Sequence, residues 1–324
     1  MGRRVFVTGA NGRVGQALIR ALVARGDRVV GLARSADKAR AVEALGAECL
    51  VGDMDAASEL DRGLEGAELV FHLVGGLRGP GAETPDQINR GGMEKLLAAV
   101  DRVGTGTLQA LVFTSSSAVY GDRSGLVLGE EMPPQPDTAY GQSKVEAEKL
   151  LLKASADRGV PGRVVRLAAV YGEGFPFMLV DQIRAGKARL PGEGRNHVPT
   201  IHVDDAVQGL LRVADRGQDG RIYNLSDTEP VTLKQFYSKV HSLVGGKPVW
   251  FWSTWVPSYA QLRIAAVNER LASRLGRNPR LTPDNIKLFR ANSRLRTDRI
   301  QGELEMSWRF PSALDGLQAV LGGD

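Results

Sequence analysis

Short runs of β-branched and aliphatic residues alternate with longer alanine- and leucine-rich stretches over the first two-thirds of the chain. The short runs have the length and composition of buried strands, and the longer stretches carry apolar residues at helical spacing. This alternation is typical of βαβ units and predicts an α/β fold with a doubly wound parallel sheet. The expected strands are Arg4–Thr8, Arg28–Ala33, Glu48–Val51, Glu68–Val74, Gln109–Thr114 and Arg163–Leu167.

The alternation weakens after Ala169, where glycine and proline turns multiply. We therefore expect residues 1–169 to form the sheet domain and residues 170–324 a smaller C-terminal lobe. Two apolar runs in the second part, Thr200–Val203 and Ile222–Leu225, have the composition of strands that return to the main sheet. This assigns residues 198–226 to the first domain and makes the lobe discontinuous.

Composition excludes several classes of protein. The chain has 324 residues, of which 43% are hydrophobic and 24% charged, as in ordinary globular proteins. Its net charge of +5 comes from scattered basic residues, which argues against nucleic acid as a partner. The one cysteine permits neither an intramolecular disulfide nor a cysteine metal cage, and the four histidines are too dispersed to indicate a metal site.

The expected location is the cytoplasm. The first residues run directly into a strand and lack the apolar stretch of a signal peptide. The segment Val249–Val267 is the most apolar later part of the chain, but polar residues interrupt it, which argues against a membrane span. Association with a membrane surface stays open.

A glycine-rich turn follows the first strand. Gly9, Gly12 and Gly15 lie between that strand and the next helix, where they permit positive φ and close approach of the backbone to a pyrophosphate. The helix N-terminus then offers free N–H groups to phosphates. The alternative is an ordinary strand-to-helix turn. The dinucleotide-binding residues predicted in this turn are Gly9, Asn11, Gly12, Arg13, Val14 and Gly15.

The end of the second strand bears on the choice of cofactor. A carboxylate at this position accepts a hydrogen bond from a ribose 2′-hydroxyl and repels a 2′-phosphate, but the chain has Arg34 and Ser35 there. An arginine pairs well with a phosphate, so NADP(H) is favoured over NAD(H). Asp53, after the third strand, is expected near the adenine. The alternative makes Arg34 an ordinary surface residue.

Tyr140 and Lys144 are four residues apart in an expected helix and therefore share one face. A phenol is a poor base at neutral pH because its pKa is about 10, but a neighbouring ammonium favours the phenolate. Such a pair can exchange a proton with an alcohol or a ketone, and a serine hydroxyl can orient the same oxygen.

With these motifs the chain resembles the extended short-chain dehydrogenase/reductase family, also called the NAD-dependent epimerase/dehydratase family. The resemblance implies a Rossmann fold with a C-terminal substrate-binding lobe, a small-molecule substrate and Ser116 as the catalytic hydroxyl, with Ser115 or Ser117 as alternatives. It adds Met54, Leu73, Tyr140 and Lys144 to the cofactor-binding residues, and a homodimer is compatible with it. The matching segments are Thr8–Gly15, Gly52–Asp53, Phe71–Leu73, Asn89, Val119–Gly121, Tyr140/Lys144, Arg166–Gly172, Ile201–Asp205 and Tyr223–Leu225.

Within this family the chain looks nearest to the 3β-hydroxysteroid/sterol dehydrogenases and dihydroflavonol reductases. Members that act on nucleotide sugars carry an Asn and an Arg where this chain has Ala168 or Ala169 and Val198, although Arg195 lies near enough in sequence to compensate. The segments that resemble the sterol and flavonoid branch are Glu269, Leu275–Thr282 and Trp308–Pro311.

The resemblance implies an NAD(P)-dependent oxidoreductase that interconverts a secondary alcohol and a ketone on an apolar, sterol- or flavonoid-like substrate. Two alternatives remain: a nucleotide-sugar epimerase/dehydratase, and a sensor or accessory protein that binds NADP(H) without turnover. A cluster of aromatic residues in the variable lobe has two interpretations: it lines an apolar substrate pocket, or it belongs to the core of the lobe. These residues are Trp250, Phe251, Trp252, Trp255 and Tyr259.

Overall fold

A computed structural model describes residues 2–76, 83–123, 125–175, 178–251, 258–274 and 282–322. Its strands are β1 (Arg4–Thr8), β2 (Arg28–Ala33), β3 (Glu48–Val51), β4 (Leu69–His72), β5 (Ala110–Ser116), β6 (Val127–Leu128), β7 (Gly162–Leu167), β8 (Ala169–Tyr171), β9 (Arg189–Leu190), β10 (Thr200–His202), β11 (Ile222–Leu225), β12 (Trp250–Phe251) and β13 (Arg294–Leu295).

The helices alternate with these strands in the first half of the chain. They are α1 (Arg13–Ala24), α2 (Ala36–Glu43), α3 (Ala57–Leu64), α4 (Pro85–Val103), α5 (Ala139–Arg158), α6 (Val180–Arg184), α7 (Val203–Arg216), α8 (Leu233–Val244), α9 (Ser258–Arg274), α10 (Pro283–Arg290), α11 (Asp298–Leu304) and α12 (Ala313–Leu321). A 3₁₀ turn, Ser117–Tyr120, follows β5.

The central sheet has seven parallel strands in the order β11-β7-β5-β4-β1-β2-β3. Side chains alternate across it, so Val5 and Val7 face one side of β1 while Phe6 faces the other. Helices α1 and α7 cover the first face and α3, α4 and α5 the second. The doubly wound α/β fold predicted from the sequence is confirmed, because both faces of a parallel sheet are buried under helices.

The carboxyl ends of β1, β4 and β5 meet at one edge of this sheet, since the strands are parallel neighbours. The order of the strands reverses beside β1, because β2 follows on one side and β4 on the other. In open α/β sheets such a reversal leaves a crevice at the strand ends where ligands bind. The fold thus places the glycine turn after β1 and the serines at the end of β5 around one crevice.

One strand prediction was wrong. Ile222–Leu225 joins the main sheet beside β7, as expected, but Thr200–His202 pairs with β8 in a separate two-stranded sheet. The reason is that β11 occupies the free edge of β7. Strand β10 therefore pairs with β8, which follows β7 in the chain. Val203, expected at the end of the strand, is the first residue of α7.

The later part of the chain has its own buried cluster, which includes Tyr171, Leu190, Phe236 and Leu317. Helices α8 and α12 pack together around it. The division into residues 1–169 with 198–226 and a lobe from 170 stays a prediction. In the part of the chain that the structure describes, no helix combines the length and apolar character needed to cross a bilayer.

Candidate active site

The turn between β1 and α1 is shaped by its glycines. Gly9 has φ +73°, a conformation that side chains rarely adopt. A Cβ at Gly15 would lie 2.4 Å from the carbonyl oxygen of Gly9, so the helix could not approach the turn so closely with any other residue. The first N–H groups of α1 have no partners within the helix, and no side chain caps them from Gly12 at the N-cap. This cradle fits the pyrophosphate of a dinucleotide.

A cavity of about 450 Å³, which we call the nucleotide cavity, opens beside this turn. Arg34 and Asp53 face it from the ends of β2 and β3. The predicted cofactor residues that line it are Gly9, Asn11, Gly12, Arg34, Asp53, Met54 and Leu73.

Six predicted cofactor residues lie outside the lining of that cavity, and two of them, Tyr140 and Lys144, line a second cavity described below. Arg13 donates from Nε to the carbonyl oxygen of Gly174 at 2.6 Å and borders a neighbouring groove. Val14 and Gly15 lie in the first turn of α1, and Ser35 is at the N-cap position of α2 without a side-chain capping hydrogen bond. Their backbone positions still shape the two helix N-termini.

Helix α5 is placed against the end of β5 by two local features. Thr138 caps the helix, accepting a hydrogen bond from the N–H of Gly141 at 3.0 Å. A Cβ at Gly141 would lie 2.4 Å from the carbonyl oxygen of Ala118, so glycine is required where the helix meets the 3₁₀ turn. This contact brings Tyr140, the second residue of α5, to the serines of β5.

Tyr140 and Ser116 form a hydrogen bond. Burial raises the pKa of Tyr140 above its ordinary value, and the hydrogen bond with Ser116 opposes that rise. In the protein alone, burial rather than the neighbouring ammonium therefore sets the direction of the Tyr140 pKa. The phenol is protonated at neutral pH and can donate a proton to an oxygen in front of it.

Lys144 lies one turn further along α5 and is 2% exposed. Its ammonium donates to the carbonyl oxygen of Thr114 at 3.0 Å and lies 4.8 Å from the centre of the Phe113 ring. Burial lowers the pKa of Lys144 to about 7, while the carboxylate of Glu148 acts in the opposite direction. A cation with so few partners is available to a ligand that supplies hydroxyl groups.

His72, at the end of β4, is a structural group. Its Nδ1 lies 2.7 Å from Thr8 Oγ1, and the ring stacks on Phe113. Burial, together with the charge of Lys144, lowers the pKa of His72 to about 3. The imidazole is therefore neutral at physiological pH.

The predicted catalytic residues line a second cavity of about 480 Å³, which we call the catalytic cavity. Ser115, Ser116, Ser117, Tyr140 and Lys144 all face it, so the sequence alternatives for the catalytic serine remain adjacent here. Of these serines, Ser116 is the one bonded to Tyr140. The apolar residues of the lining are Leu73, Ala118, Leu167, Ala168, Ala169, Val170, Val198, Pro199, Leu288 and Ala291.

Sequence reasoning missed several residues of this region. Gly75 and Gly76 line both cavities and join them, and a Cβ at Gly75 would lie 2.5 Å from the Lys144 ammonium. Asp137 borders the catalytic cavity just before α5. The signals were a glycine pair after β4 and an acid in the segment before Tyr140, neither of which is specific enough to single out.

The aromatic residues of the variable lobe do not line the catalytic cavity where they are described. Trp250 is exposed beneath the guanidinium of Arg189, and Phe251 packs on the cluster of the lobe. Trp252 and Trp255, the side chain of Tyr259 and the segment Leu275–Leu281 lie outside the described residues. Trp308 donates from Nε1 to the carbonyl oxygen of Ser226 at 2.9 Å and has a structural role.

Among the described residues, no group of three or more histidine, cysteine, aspartate and glutamate side chains is arranged to hold a metal ion. Arg195, the candidate sugar-phosphate ligand, is 87% exposed and pairs with Glu193 away from the catalytic cavity.

Comparison with known proteins agrees with this geometry. The model of the NAD dependent epimerase/dehydratase family matches residues 5–226. A ketoreductase of Stigmatella aurantiaca, named for 4-hydroxy-2-methyl-3-oxo-4-farnesyl-3,4-dihydroquinoline-1-oxide, is 35% identical over 241 residues, covering 72% of this chain and 71% of the relative. A 3 beta-hydroxysteroid dehydrogenase/Delta 5-->4-isomerase of Mycobacterium tuberculosis is 28% identical over 263 residues, covering 75% and 70%.

Solved structures show the same fold. The crystal structure of gox2253 superposes with a TM-score of 0.78 at 26% identity, covering 99% of this chain and 97% of that one. The family match covers more than half of the chain. It includes every lining residue of the nucleotide cavity, and every lining residue of the catalytic cavity except Leu288, Ala291 and Ser293. The chain belongs to the NAD-dependent epimerase/dehydratase family, that is, to the extended short-chain dehydrogenases/reductases.

Proposed function

We propose that the protein is an NADP(H)-preferring ketoreductase that reduces a carbonyl group on a largely apolar substrate to a secondary alcohol. The observation that carries this proposal is the catalytic cavity, in which Ser116, Tyr140 and Lys144 face aliphatic side chains. Apolar walls with a few convergent polar groups are typical of sites that orient an apolar ligand by one reactive group.

We assign Tyr140 as the proton donor for reduction and the proton acceptor for oxidation. Its pKa is raised by burial, so the phenol holds its proton at neutral pH. As a substrate carbonyl becomes an alkoxide, Tyr140 Oη donates that proton to the oxygen, and in oxidation the phenolate takes it back. Ser116, bonded to Tyr140, holds the same oxygen in place.

The nicotinamide ring, when bound, supplies or accepts the hydride that balances this proton. The turn after β1 would hold the pyrophosphate, and Lys144 would bind the hydroxyls of the nicotinamide ribose. Bound in this way, the Lys144 ammonium favours the charged form of Tyr140 when the proton leaves. The residues thus bind, orient and move one proton.

Arg34 supports the preference for NADP(H). Its guanidinium is exposed and borders the nucleotide cavity at the end of β2, where an acid would favour NAD(H). A charge-assisted, bidentate pair between this guanidinium and a 2′-phosphate is stronger than a neutral hydrogen bond to the 2′-hydroxyl of NAD(H). Asp53 lies on the same cavity and is assigned to the adenosine part of the cofactor.

The substrate class follows from the walls and from the relatives. The described lining of the catalytic cavity contains no arginine to hold a diphosphate, and Val198 and either Ala168 or Ala169 stand where sugar-nucleotide enzymes carry polar residues. The relatives named above act on a farnesylated dihydroquinoline oxide and on a 3β-hydroxysteroid. We assign a polycyclic or isoprenoid-bearing ketone, and rank a nucleotide sugar below it.

A cytoplasmic location and a homodimer remain proposals of the same kind. The single cysteine fits a reducing compartment. Burial raises the pKa of its thiol to about 11, so Cys49 is an unreactive structural thiol rather than a nucleophile.

The test is a substrate screen with NADPH, using ketosteroids, flavanonols, quinolone-type ketones and simple ketones. We expect oxidation of NADPH with at least one apolar ketone, and none with the Tyr140→Phe protein prepared in the same way, which controls for host reductases. Sugar nucleotides of UDP, dTDP and GDP should not raise the melting temperature beyond the effect of cofactor alone.

Turnover or clear stabilisation by a sugar nucleotide would overturn the substrate assignment. Tight NADPH binding without turnover of any ketone in the panel would favour the sensor over the enzyme.

A further inference from the structure

A buried ion pair lies behind the catalytic residues, outside both cavities. Arg166 of β7 and Glu148 of α5 are 2% and 3% exposed, and Arg166 Nη2 donates to Glu148 Oε2 at 2.8 Å. Arg166 Nε donates to Oε1 of the same carboxylate at 3.0 Å. The carboxylate also accepts a hydrogen bond from Ser115 Oγ at 2.5 Å.

Stability alone does not account for this pair. Removing two charges from water carries a large desolvation penalty, and apolar residues of similar volume often replace such pairs without loss of stability. The pair is nevertheless fully bonded. Arg166 Nη1 donates to the Tyr120 hydroxyl at 2.9 Å, and that hydroxyl donates to Asn224 Oδ1 at 2.8 Å.

Glu148 is connected to both halves of the catalytic set. It follows Tyr140 and Lys144 on successive turns of one face of α5. Through Ser115 it also holds the residue that precedes Ser116 in β5. One carboxylate therefore ties the helix that carries the acid and the ammonium to the strand that carries the serine.

The groups around Lys144 make Glu148 its main source of negative charge. Tyr140 and Glu148 come from its own helix and His72 from β4, while β5 offers the Thr114 carbonyl and the Phe113 ring. His72 is neutral because its pKa is about 3, and Tyr140 is protonated. Arg166 lies behind Glu148 and fixes its orientation.

We propose that Glu148 is a positioning residue, which keeps Lys144 charged and holds Ser116 in register with Tyr140. The inference rests on the proposed function, since it assigns the support of the same site. Arg166 and Ser115 hold the carboxylate in one position by hydrogen bonds to both of its oxygens.

The experiment measures the affinity for NADH by fluorescence between pH 5 and 9, a range that brackets the Lys144 pKa of about 7. NADH is used because it lacks the 2′-phosphate of NADPH, which itself titrates near 6. We expect the wild-type affinity to fall as Lys144 loses its proton. In Glu148→Gln the midpoint of that fall should move down by about 1 pH unit, a tenfold change in proton affinity. Glu146→Gln is the matched control, because Glu146 is a partly exposed residue of α5 that pairs with Lys149.

A conservative variant separates charge from position. Glu148→Asp keeps the charge but shortens the side chain, so its midpoint should stay near that of the wild type while turnover falls through loss of the Ser115 contact. If Glu148→Gln leaves Arg166 uncompensated and does not fold, Glu148→Gln/Arg166→Met removes both charges and should show a downward shift as well.

The proposal would be overturned if the cofactor affinity of Glu148→Gln fell with the same pH midpoint as that of the wild type. A wild-type affinity that does not change with pH would overturn it as well. Failure of the proposed function has another signature, which is full turnover by Tyr140→Phe. Absence of NADPH and NADH binding would refute both.

Discussion

The ammonium of Lys144 donates a hydrogen bond to the carbonyl oxygen of Thr114 at 3.0 Å, which connects helix α5 to the C-terminal end of strand β5. This contact places the cation between two cavities, since Lys144 lines the catalytic one and Gly75, beside its ammonium, lines both. The fold therefore fixes Tyr140, Lys144 and the nucleotide cavity relative to one another. Five experiments follow from this arrangement.

Tyr140→Phe removes only the phenolic oxygen. We expect hydride transfer to fall about 10²–10⁴-fold, as is typical for loss of a positioned acid or base. The melting temperature and the affinity for NADPH should stay near those of the wild type. Steady-state turnover with a substrate from the ketone screen checks this, and a fully active variant would place the chemistry elsewhere.

Lys144→Met should lower both cofactor affinity and turnover, because the ammonium is assigned to the ribose and to the charge of Tyr140. Fluorescence titration with NADPH and turnover at saturating substrate measure the two effects. Lys149→Met is the control on the same helix, since Lys149 is 65% exposed and far more solvated. A loss of rate with unchanged affinity would contradict the assignment to the ribose.

The same variant tests the pKa of Lys144. Its folded value, about 7, lies below the ordinary value of 10.5, so between these pH values the unfolded state binds more protons than the folded state. Wild-type stability should therefore rise relative to Lys144→Met as pH rises through 7. We expect a change of about 1–3 kcal/mol between pH 6 and 9 in urea unfolding. A constant difference would mean that Lys144 titrates normally.

Arg34→Ala should reduce the preference for NADPH over NADH. A charge-assisted contact to a phosphate contributes about 1.5–3 kcal/mol, so we expect roughly a tenfold to hundredfold smaller ratio of the two dissociation constants. Arg40→Ala serves as the control, because Arg40 is exposed on α2, pairs with Asp37 and does not line the nucleotide cavity. Tighter binding of NADH than NADPH by the wild type would refute the preference itself.

Asp205→Ala should destabilise the protein by about 2–4 kcal/mol. The carboxylate of Asp205 is fully buried and accepts hydrogen bonds from the backbone N–H groups of Arg309 and Phe310 at 2.7 and 2.9 Å. Its loss leaves two partly buried backbone donors without this partner. Asp204→Ala removes a half-exposed carboxylate that pairs with Arg309 and lies 3.7 Å from His202 Nδ1, and it should cost about 1 kcal/mol or less. Equal effects of the two substitutions in thermal unfolding would refute this role.

The sequence alone determined the features that depend on local patterns. The strands β1, β2 and β3 have the predicted bounds, because short β-branched runs between helical stretches are buried on both faces of a parallel sheet. The glycine turn after β1 and the spacing of Tyr140 and Lys144 are also local, since each depends on residues within one turn or one helix. These are the features on which the family resemblance rests.

The tertiary structure decided what depends on distant neighbours. Thr200–His202 has the composition of a strand of the main sheet, but the edge beside β7 is taken by β11, which lies later in the chain. The Tyr140 pKa is raised by burial, and Glu148 meets Arg166 across 18 residues only when α5 packs on β7. Composition reports which residues are present, whereas open edges, desolvation and buried partners exist only once the chain has folded.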